Sequence, residues 1–379
     1  MTAHPSSPDR AEIVVDLGAV RRNVATLKER SGGARMMTVV KADGYGHGMV
    51  PVARAAREAG ADWLGVAVIE EALALREAGD AGPVLTWLAV PGEDFAAAVE
   101  GDVDVTAYTT EELDEIIDAA RRVGKPARVQ LKIDTGLNRG GSSEELWPGL
   151  VAAAAKAECA GAVRVSGIWS HFACSDEPDH PANDMQEQAF RAALKVAEAH
   201  GLRPEVRHLA NSAAALLRPS SRFDLVRCGL ASYGLSPAPD VASAAELGLV
   251  PAMTVRGRLA VVKRVRSGSG VSYGHTYVTG KDTTIAVVPM GYGDGVPRAA
   301  SSRAHVLVAG KQRLVAGRVC MDQFVVDLDD DAAEVGDPAV LFGTGEDGAP
   351  TAQDWAEASG TISYEIVTGV GGRMKRRYV

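Results

Sequence analysis

Ten consecutive residues, Val39 to Gly48, carry the types that carbonyl chemistry needs: Val-Val-Lys-Ala-Asp-Gly-Tyr-Gly-His-Gly. An apolar run, Met36 to Val40, leads directly into Lys41, and glycines follow at 44, 46 and 48, interleaved with Tyr45 and His47. Such a run reads as a buried strand, and the glycines read as a loop after it. A lysine at a buried strand end is unfavourable while charged and unpaired. Its neutral amine is a nucleophile suited to forming a Schiff base. The competing reading is a lysine whose stem covers apolar surface while its charge reaches water.

More polar groups stand at the ends of apolar runs. Gln130-Leu131-Lys132-Ile133-Asp134 is followed by a loop ending in Asn138-Arg139, where Lys132 and Arg139 also fit a plain surface role. Trp169-Ser170-His171 ends another run, and a lone histidine there is usually a satisfied polar residue. His208-Leu209-Ala210-Asn211-Ser212 places Ser212 where a helix can begin, so its free N–H groups suit either a phosphate or an ordinary cap. Arg227-Cys228-Gly229-Leu230 closes the last run. Later come Ser272-Tyr273-Gly274, Arg318-Val319-Cys320-Met321-Asp322-Gln323 and Ile362-Ser363-Tyr364. The Met321–Asp322 turn offers backbone N–H to a carboxylate, and exposed tyrosines are more often packing or interface residues than acids or bases.

The elements that must position these groups alternate from Arg10 to about Pro237. Strands are expected at Met36–Lys41, Trp63–Ala67, Val84–Leu88, Val103–Thr106, Ala127–Ile133, Val163–Trp169, Glu205–Leu209 and Asp224–Cys228. Helix-length segments include Val50–Ala59, Glu70–Ala78, Thr110–Val123, Ser143–Lys156 and Ala182–His200. Alternation of this kind implies parallel pairing, and eight such strands fit a TIM-like (β/α)8 barrel, whose active site lies at the C-terminal strand ends. A doubly wound open sheet is the alternative. After Pro237-Ala238-Pro239 helical pattern almost vanishes, and β-rich runs follow at Met253–Val265, Thr283–Pro289, Ala304–Val308, Leu314–Val319, Phe324–Leu328 and Ala339–Phe342. The expected division is a loose tail over 1–10, a barrel over 11–241 and a predominantly β domain over 242–379. The extra early strand Ala11–Leu17 could pack on the second domain.

The 379 residues suffice for two cores, and 40 basic against 49 acidic residues give a net charge of −9, which speaks against a nucleic-acid surface. No apolar run approaches a membrane span, and Met1 to Arg10 shows no signal-peptide core. The four cysteines, Cys159, Cys174, Cys228 and Cys320, are scattered without a C-x-x-C pair, so no metal site is expected and a reducing cytoplasm is the expected compartment.

The Lys41 decapeptide resembles the pyridoxal-phosphate lysine motif of the alanine racemase family, with Gly44 where the family usually has alanine. The lysine, arginine, histidine and tyrosine motifs all occur in family order, from about Ala11 to Val379. The resemblance implies that Lys41 binds pyridoxal 5'-phosphate as a Schiff base and acts as one base, on the D-alanine side. It implies that Tyr273 enters the partner subunit's site as the second base, so the protein is a homodimer with shared sites. By the same resemblance Lys132, often carbamylated, holds Arg139, which meets the cofactor's phenolic oxygen and the substrate carboxylate. His171 packs on the pyridine ring, Arg227 faces its nitrogen and His208 supports Arg227. Tyr45, Asn211, Ser212, Gly229, Leu230 and Tyr364 match the cofactor's surroundings. Met321 matches a substrate contact, supported by Asp322, while Arg298, Arg318, Asp176 and Ile362 match the entry path. Arginine at the ring nitrogen stays protonated and opposes a second positive charge there, which weakens the electron sink.

The family reading is conversion between L-alanine and D-alanine, the latter for peptidoglycan, with no nucleic acid or membrane partner. Racemisation of serine or of a broad set of amino acids is the nearest rival. An amino-acid decarboxylase is disfavoured by Arg227, and a non-catalytic cofactor carrier would need no second base. One departure lies at Thr368-Gly369 to Arg377, which lacks the family's usual arginine after the threonine and the proline after Arg373-x. The packing of Tyr364 is expected to feel that loss.

Overall fold

A computed structural model describes residues 9–379; the first eight positions of the expected tail lie outside the described residues. Arg10, the last tail position, is anchored: its guanidinium pairs with the buried Asp294 carboxylate at 3.1 Å.

The chain forms two compact units. The first takes in Val20–Gly44 and Met49–Leu249. Its strands are β2 (Arg35–Val39), β3 (Trp63–Val66), β4 (Val84–Thr86), β5 (Asp104–Ala107), β6 (Ala127–Lys132), β7 (Val163–Trp169), β8 (Val206–His208) and β9 (Leu225–Cys228). Neighbours pair in parallel in the order β8-β7-β6-β5-β4-β3-β2-β9. The two ends of that order meet, since Asp224 N–H donates to Arg207 O at 3.0 Å and Arg227 N–H to Ala210 O at 3.0 Å. The sheet therefore closes into the expected barrel rather than an open sheet. Continuous apolar runs suit it because its strands are covered on both faces: β3, β4, β5 and β9 are buried throughout. Between strands run the helices Met49–Glu58, Ile69–Glu77, Thr110–Val123, Trp147–Cys159 and Ala182–Ala199, with a further helix at Leu17–Arg30 ahead of β2.

The second unit holds β1 (Ala11–Val15) with the chain to Ala19, the segment Tyr45–Gly48, and Val250–Val379. The division expected at 241/242 thus falls at 249/250; Leu247 and Leu249 are buried within the barrel unit. In the second unit β10 (Met253–Arg258), β15 (His305–Val308), β16 (Lys311–Leu314), β18 (Pro338–Phe342) and β19 (Lys375–Tyr378) join β1 in a six-stranded sheet. A three-stranded sheet joins β11 (Val261–Val265), β14 (Thr283–Val288) and β17 (Phe324–Asp329). A short ribbon pairs β12 (Gly270–Val271) with β13 (Tyr277–Val278). The expected strand at Leu314–Val319 lies earlier, at Lys311–Leu314, because Ala309 and Gly310 form a two-residue hairpin turn with φ 51° and 72°. Two helices, Ala352–Ser359 and Ser363–Gly369, interrupt the β texture, the first started by a capping box between Thr351 and Asp354. No helix among the described residues is long and apolar enough to cross a membrane.

Candidate active site

Lys41 lies two residues beyond β2, past the end of the strand. The chain then turns left-handed: Ala42, Asp43 and Gly44 have φ/ψ near 52°/52°, 52°/47° and 62°/44°. The amine sits 5.7 Å from the Trp87 ring centroid. Burial, and then the Arg139 charge, lower the proton affinity of Lys41, while Glu71 raises it.

Arg227, on β9 and buried, is the hub of the barrel mouth. It donates to His208 Nδ1 at 3.0 Å, to His171 Nδ1 at 3.0 Å, and to the carbonyls of Ser170 and Leu209 at 2.8 and 3.2 Å. Arginine only donates, so both imidazoles must present an unprotonated Nδ1 and carry their hydrogen on Nε2. Burial, with Arg227 beside them, holds both histidines far below the usual range. Burial pushes Arg227 down to about 9, which leaves it protonated at neutral pH.

Below Arg227 a polarised chain runs inside the barrel. His208 Nε2–H donates to Gln130 Oε1 at 2.7 Å, and the Gln130 amide donates to Asp104 Oδ2 at 3.1 Å. Asp104 also accepts from Trp63, Arg128 and Ser166 at 2.8, 2.7 and 2.9 Å. His208 is stacked on Trp169 at 5.7 Å. The sequence pattern assigns no role to Asp104 or Gln130. Their signal was a glutamine and an aspartate on strands expected to lie in the barrel core, where polar groups need buried partners.

Lys132, 6% exposed, closes β6 with its amine 4.6 Å from the Trp169 ring centroid and 5.2 Å from that of Tyr108. Burial, then Arg227 and Arg139, lower it to about 8. No carboxylate among the described residues lies at ion-pair distance, and Arg139, on the exposed loop, acts on Lys132 as a repelling charge. Asn211, rather than Ser212, is the cap of the Ser212–Leu217 helix, its side chain accepting from Ala214 N–H at 3.1 Å. The Ser212 hydroxyl instead accepts from Gly229 N–H at 2.9 Å and so joins the loops after β8 and β9. Leu230 opens the next turn, whose Tyr233 donates to Val39 O at 2.9 Å and ties that loop to β2. Asp176 lies in the loop after β7.

In the second unit Tyr45 is buried, with its ring 6.1 Å from that of Tyr364, and burial keeps the Tyr45 hydroxyl protonated well above its usual range. The glycines around it serve close packing. A Cβ on Gly46 would lie 2.2 Å from Val367 O, and one on Gly48 2.0 Å from the Tyr378 hydroxyl. Arg376 donates to Gly46 O at 2.8 Å, so the unusual tail grips this loop without the missing arginine. Tyr273 stands on a single turn, 70% exposed, behind Ser272, whose hydroxyl donates to Arg318 O at 2.7 Å. Met321 is also exposed; its carbonyl and that of Cys320 accept from Gly293 and Tyr292 N–H at 2.8 and 3.0 Å, which sets the shape of the turn. Arg373 links Asp322 at 2.7 Å to Asp294 at 3.0 Å. Arg298 and Ile362 are exposed.

Two family models match, the alanine racemase N-terminal domain over residues 15–237 and the alanine racemase C-terminal domain over 252–378. The chain belongs to the alanine racemase family. Among its curated relatives, the alanine racemase of Thermobifida fusca is 56% identical over 97% of this chain and 98% of its own. That of Frankia casuarinae is 56% identical over 98% and 96%. The alanine racemase structure from D-cycloserine-producing Streptomyces lavendulae superposes with a TM-score of 0.97 at 55% identity, covering 99% of this chain and 98% of that one. Family membership places the chain among the racemases, a class of isomerases.

Proposed function

We propose that this chain interconverts L-alanine and D-alanine with pyridoxal 5'-phosphate held at the barrel mouth. The observation that carries the reading is Arg227 holding two neutral imidazoles beside a lysine of lowered proton affinity. The donor set fits an anionic aldehyde: Arg227, Arg139, Lys132 and Lys41 all press positive charge on His171. Lys41 would hold the cofactor covalently, Tyr45, Ser212, Leu230 and Tyr364 its phosphate, Arg227 its ring nitrogen and His171 its ring. When bound, the cofactor supplies an electron-withdrawing ring that acidifies the α-hydrogen of an attached amino acid. Arg227 limits that withdrawal, because its own charge opposes protonation of the ring nitrogen.

Inversion at a carbon needs acid–base groups on opposite faces. Lys41 takes or returns the α-proton on the D-alanine side, and the partner's Tyr273 does so on the L-alanine side. Arg139 and the N–H groups of the Met321 turn hold the substrate carboxylate, with Arg298 and Arg318 along the entry path. The assembly is a two-fold, head-to-tail homodimer, and the compartment is the cytoplasm, where D-alanine feeds peptidoglycan. The test is the optical rotation of L-alanine, with L-serine alongside. The cofactor-saturated protein should abolish the rotation of L-alanine and the Lys41→Ala variant should leave it; unchanged rotation with the unaltered protein overturns the reading.

A further inference from the structure

We propose that Glu71 is a positioning residue for Lys41, acting through the left-handed turn that follows the lysine. The inference rests on Lys41 being the cofactor lysine. Ala42 and Asp43 both adopt φ 52°, a region that non-glycine residues avoid unless something holds them there. Hydrogen bonds from three directions help hold this turn. Gly44 N–H donates back to Val40 O at 2.8 Å, and Asp43 Oδ1 accepts from Met49 N–H at 2.9 Å. The third comes from another element: Ala42 N–H, the amide next after Lys41, donates to Glu71 Oε1 at 2.7 Å.

The two oxygens of Glu71 have separate tasks. Oε2 accepts from Ala67 N–H at 2.9 Å and from Val68 N–H at 3.5 Å, which caps its own helix, Ile69–Glu77. A residue serving only that cap would need one oxygen. Oε1 is left to reach the lysine's turn, so the carboxylate ties the start of the helix after β3 to the end of β2. A carboxylate offers both acceptors, whereas glutamine presents one oxygen and turns an N–H group toward the other donor. The Glu71 charge also acts on Lys41 directly, against Arg139, while His171 is the other titratable group coupled to the amine. Strain held at a functional lysine by a carboxylate from a neighbouring helix is a way of fixing where its amine points.

The test compares the unaltered holoenzyme with Glu71→Gln, Glu71→Gln with Ala42→Gly, and Glu70→Gln. Glu70 is exposed on the same helical turn and serves as the charge control. The readouts are release of pyridoxal phosphate to hydroxylamine and the pH midpoint of the visible absorption. In Glu71→Gln the single oxygen should stay on the cap and leave Ala42, so release should quicken severalfold. With the negative charge gone, the protonated nitrogen is held less tightly, and the midpoint should fall by about half a pH unit. Ala42→Gly removes the strain and should slow release again while leaving the midpoint low; Glu70→Gln should change neither. Release and midpoint unchanged in Glu71→Gln, or reproduced by Glu70→Gln, overturn the proposal. Hydrogen exchange in the unaltered holoenzyme needs no substitution: the Ala42 amide should be protected, and exchange at an open-loop rate overturns it as well. An unaltered protein that never takes up the cofactor on Lys41 overturns the functional reading instead.

Discussion

Replacing Gln130 with leucine breaks the polarised chain beneath Arg227 at its middle link. Leucine is close to glutamine in size, so the change is chiefly in hydrogen bonding. Asp104 would lose the contact at 3.1 Å but keep Trp63, Arg128 and Ser166. The fully buried His208 Nε2–H would lose its only acceptor among the described residues, now at 2.7 Å. Shifting the His208 hydrogen to Nδ1 gives no escape, because it would face the Arg227 donor. An unpaired buried donor costs about 1–3 kcal/mol, and for a unit of the barrel's size about 2 kcal/mol lowers the unfolding midpoint by roughly 4–8 °C. Gln130→Glu restores the acceptor but sets a second carboxyl beside Asp104. Burial and the Asp104 charge raise the folded pKa of the new acid above its unfolded value. Its contribution is then fully present below the unfolded pKa and is lost as pH rises through the folded one, so the deficit should widen from about pH 5 to about pH 8. Thermal unfolding of the cofactor-saturated protein, followed by far-ultraviolet circular dichroism across that range, measures both effects. A leucine variant that melts with the parent, or a glutamate variant whose deficit narrows with rising pH, refutes the reasoning.

Three further outcomes are expected. The purified protein should be yellow, borohydride should bleach it, and the reduced pyridoxyl label should map by peptide mass spectrometry to Lys41 and nowhere else. Tyr364→Ala should admit serine or larger amino acids and weaken cofactor retention, since Tyr364 packs on Tyr45; rotation assays across substrates and dialysis of the cofactor measure the two. Co-refolding inactive Lys41→Ala with inactive Tyr273→Phe should restore about one quarter of the parent activity, because about half the dimers are mixed and each has one intact site; mixed dimers without any gain sink the shared-site proposal.

Much of this architecture was written in local pattern. The barrel strands were legible because short runs rich in Val, Ile and Leu, as strands covered on both faces leave, recur between helix-length segments. Lys41 was legible because a lysine interrupts such a run just before three glycines. What could not be read depends on partners distant in sequence. β19 is Lys-Arg-Arg-Tyr and lacks any strand pattern, and it is a strand only because β1 pairs with it in parallel. The Ser363–Gly369 helix is too short to show a period of its own. The partners of Gln130 and Glu71 lie on other elements, at Asp104, His208 and Ala42, so neither role shows in local sequence. Gly46 and Gly48 were read as flexibility, whereas their lack of a side chain leaves room for the Val367 carbonyl and the Tyr378 ring.

The pairing of β1 bears on synthesis. Its Ala-Glu-Ile-Val-Val strand is made before every barrel strand, yet its two neighbours, β10 and β19, are made only after them. While the barrel strands are made both edges of a largely apolar strand stay unmatched, the kind of segment that recruits wrong partners. The barrel strands, contiguous in sequence, can form in the meantime. A nascent chain of this protein should therefore lean on chaperones for β1 rather than for its barrel, and stalling before Met253 should leave a finished barrel beside an unmatched, aggregation-prone strand.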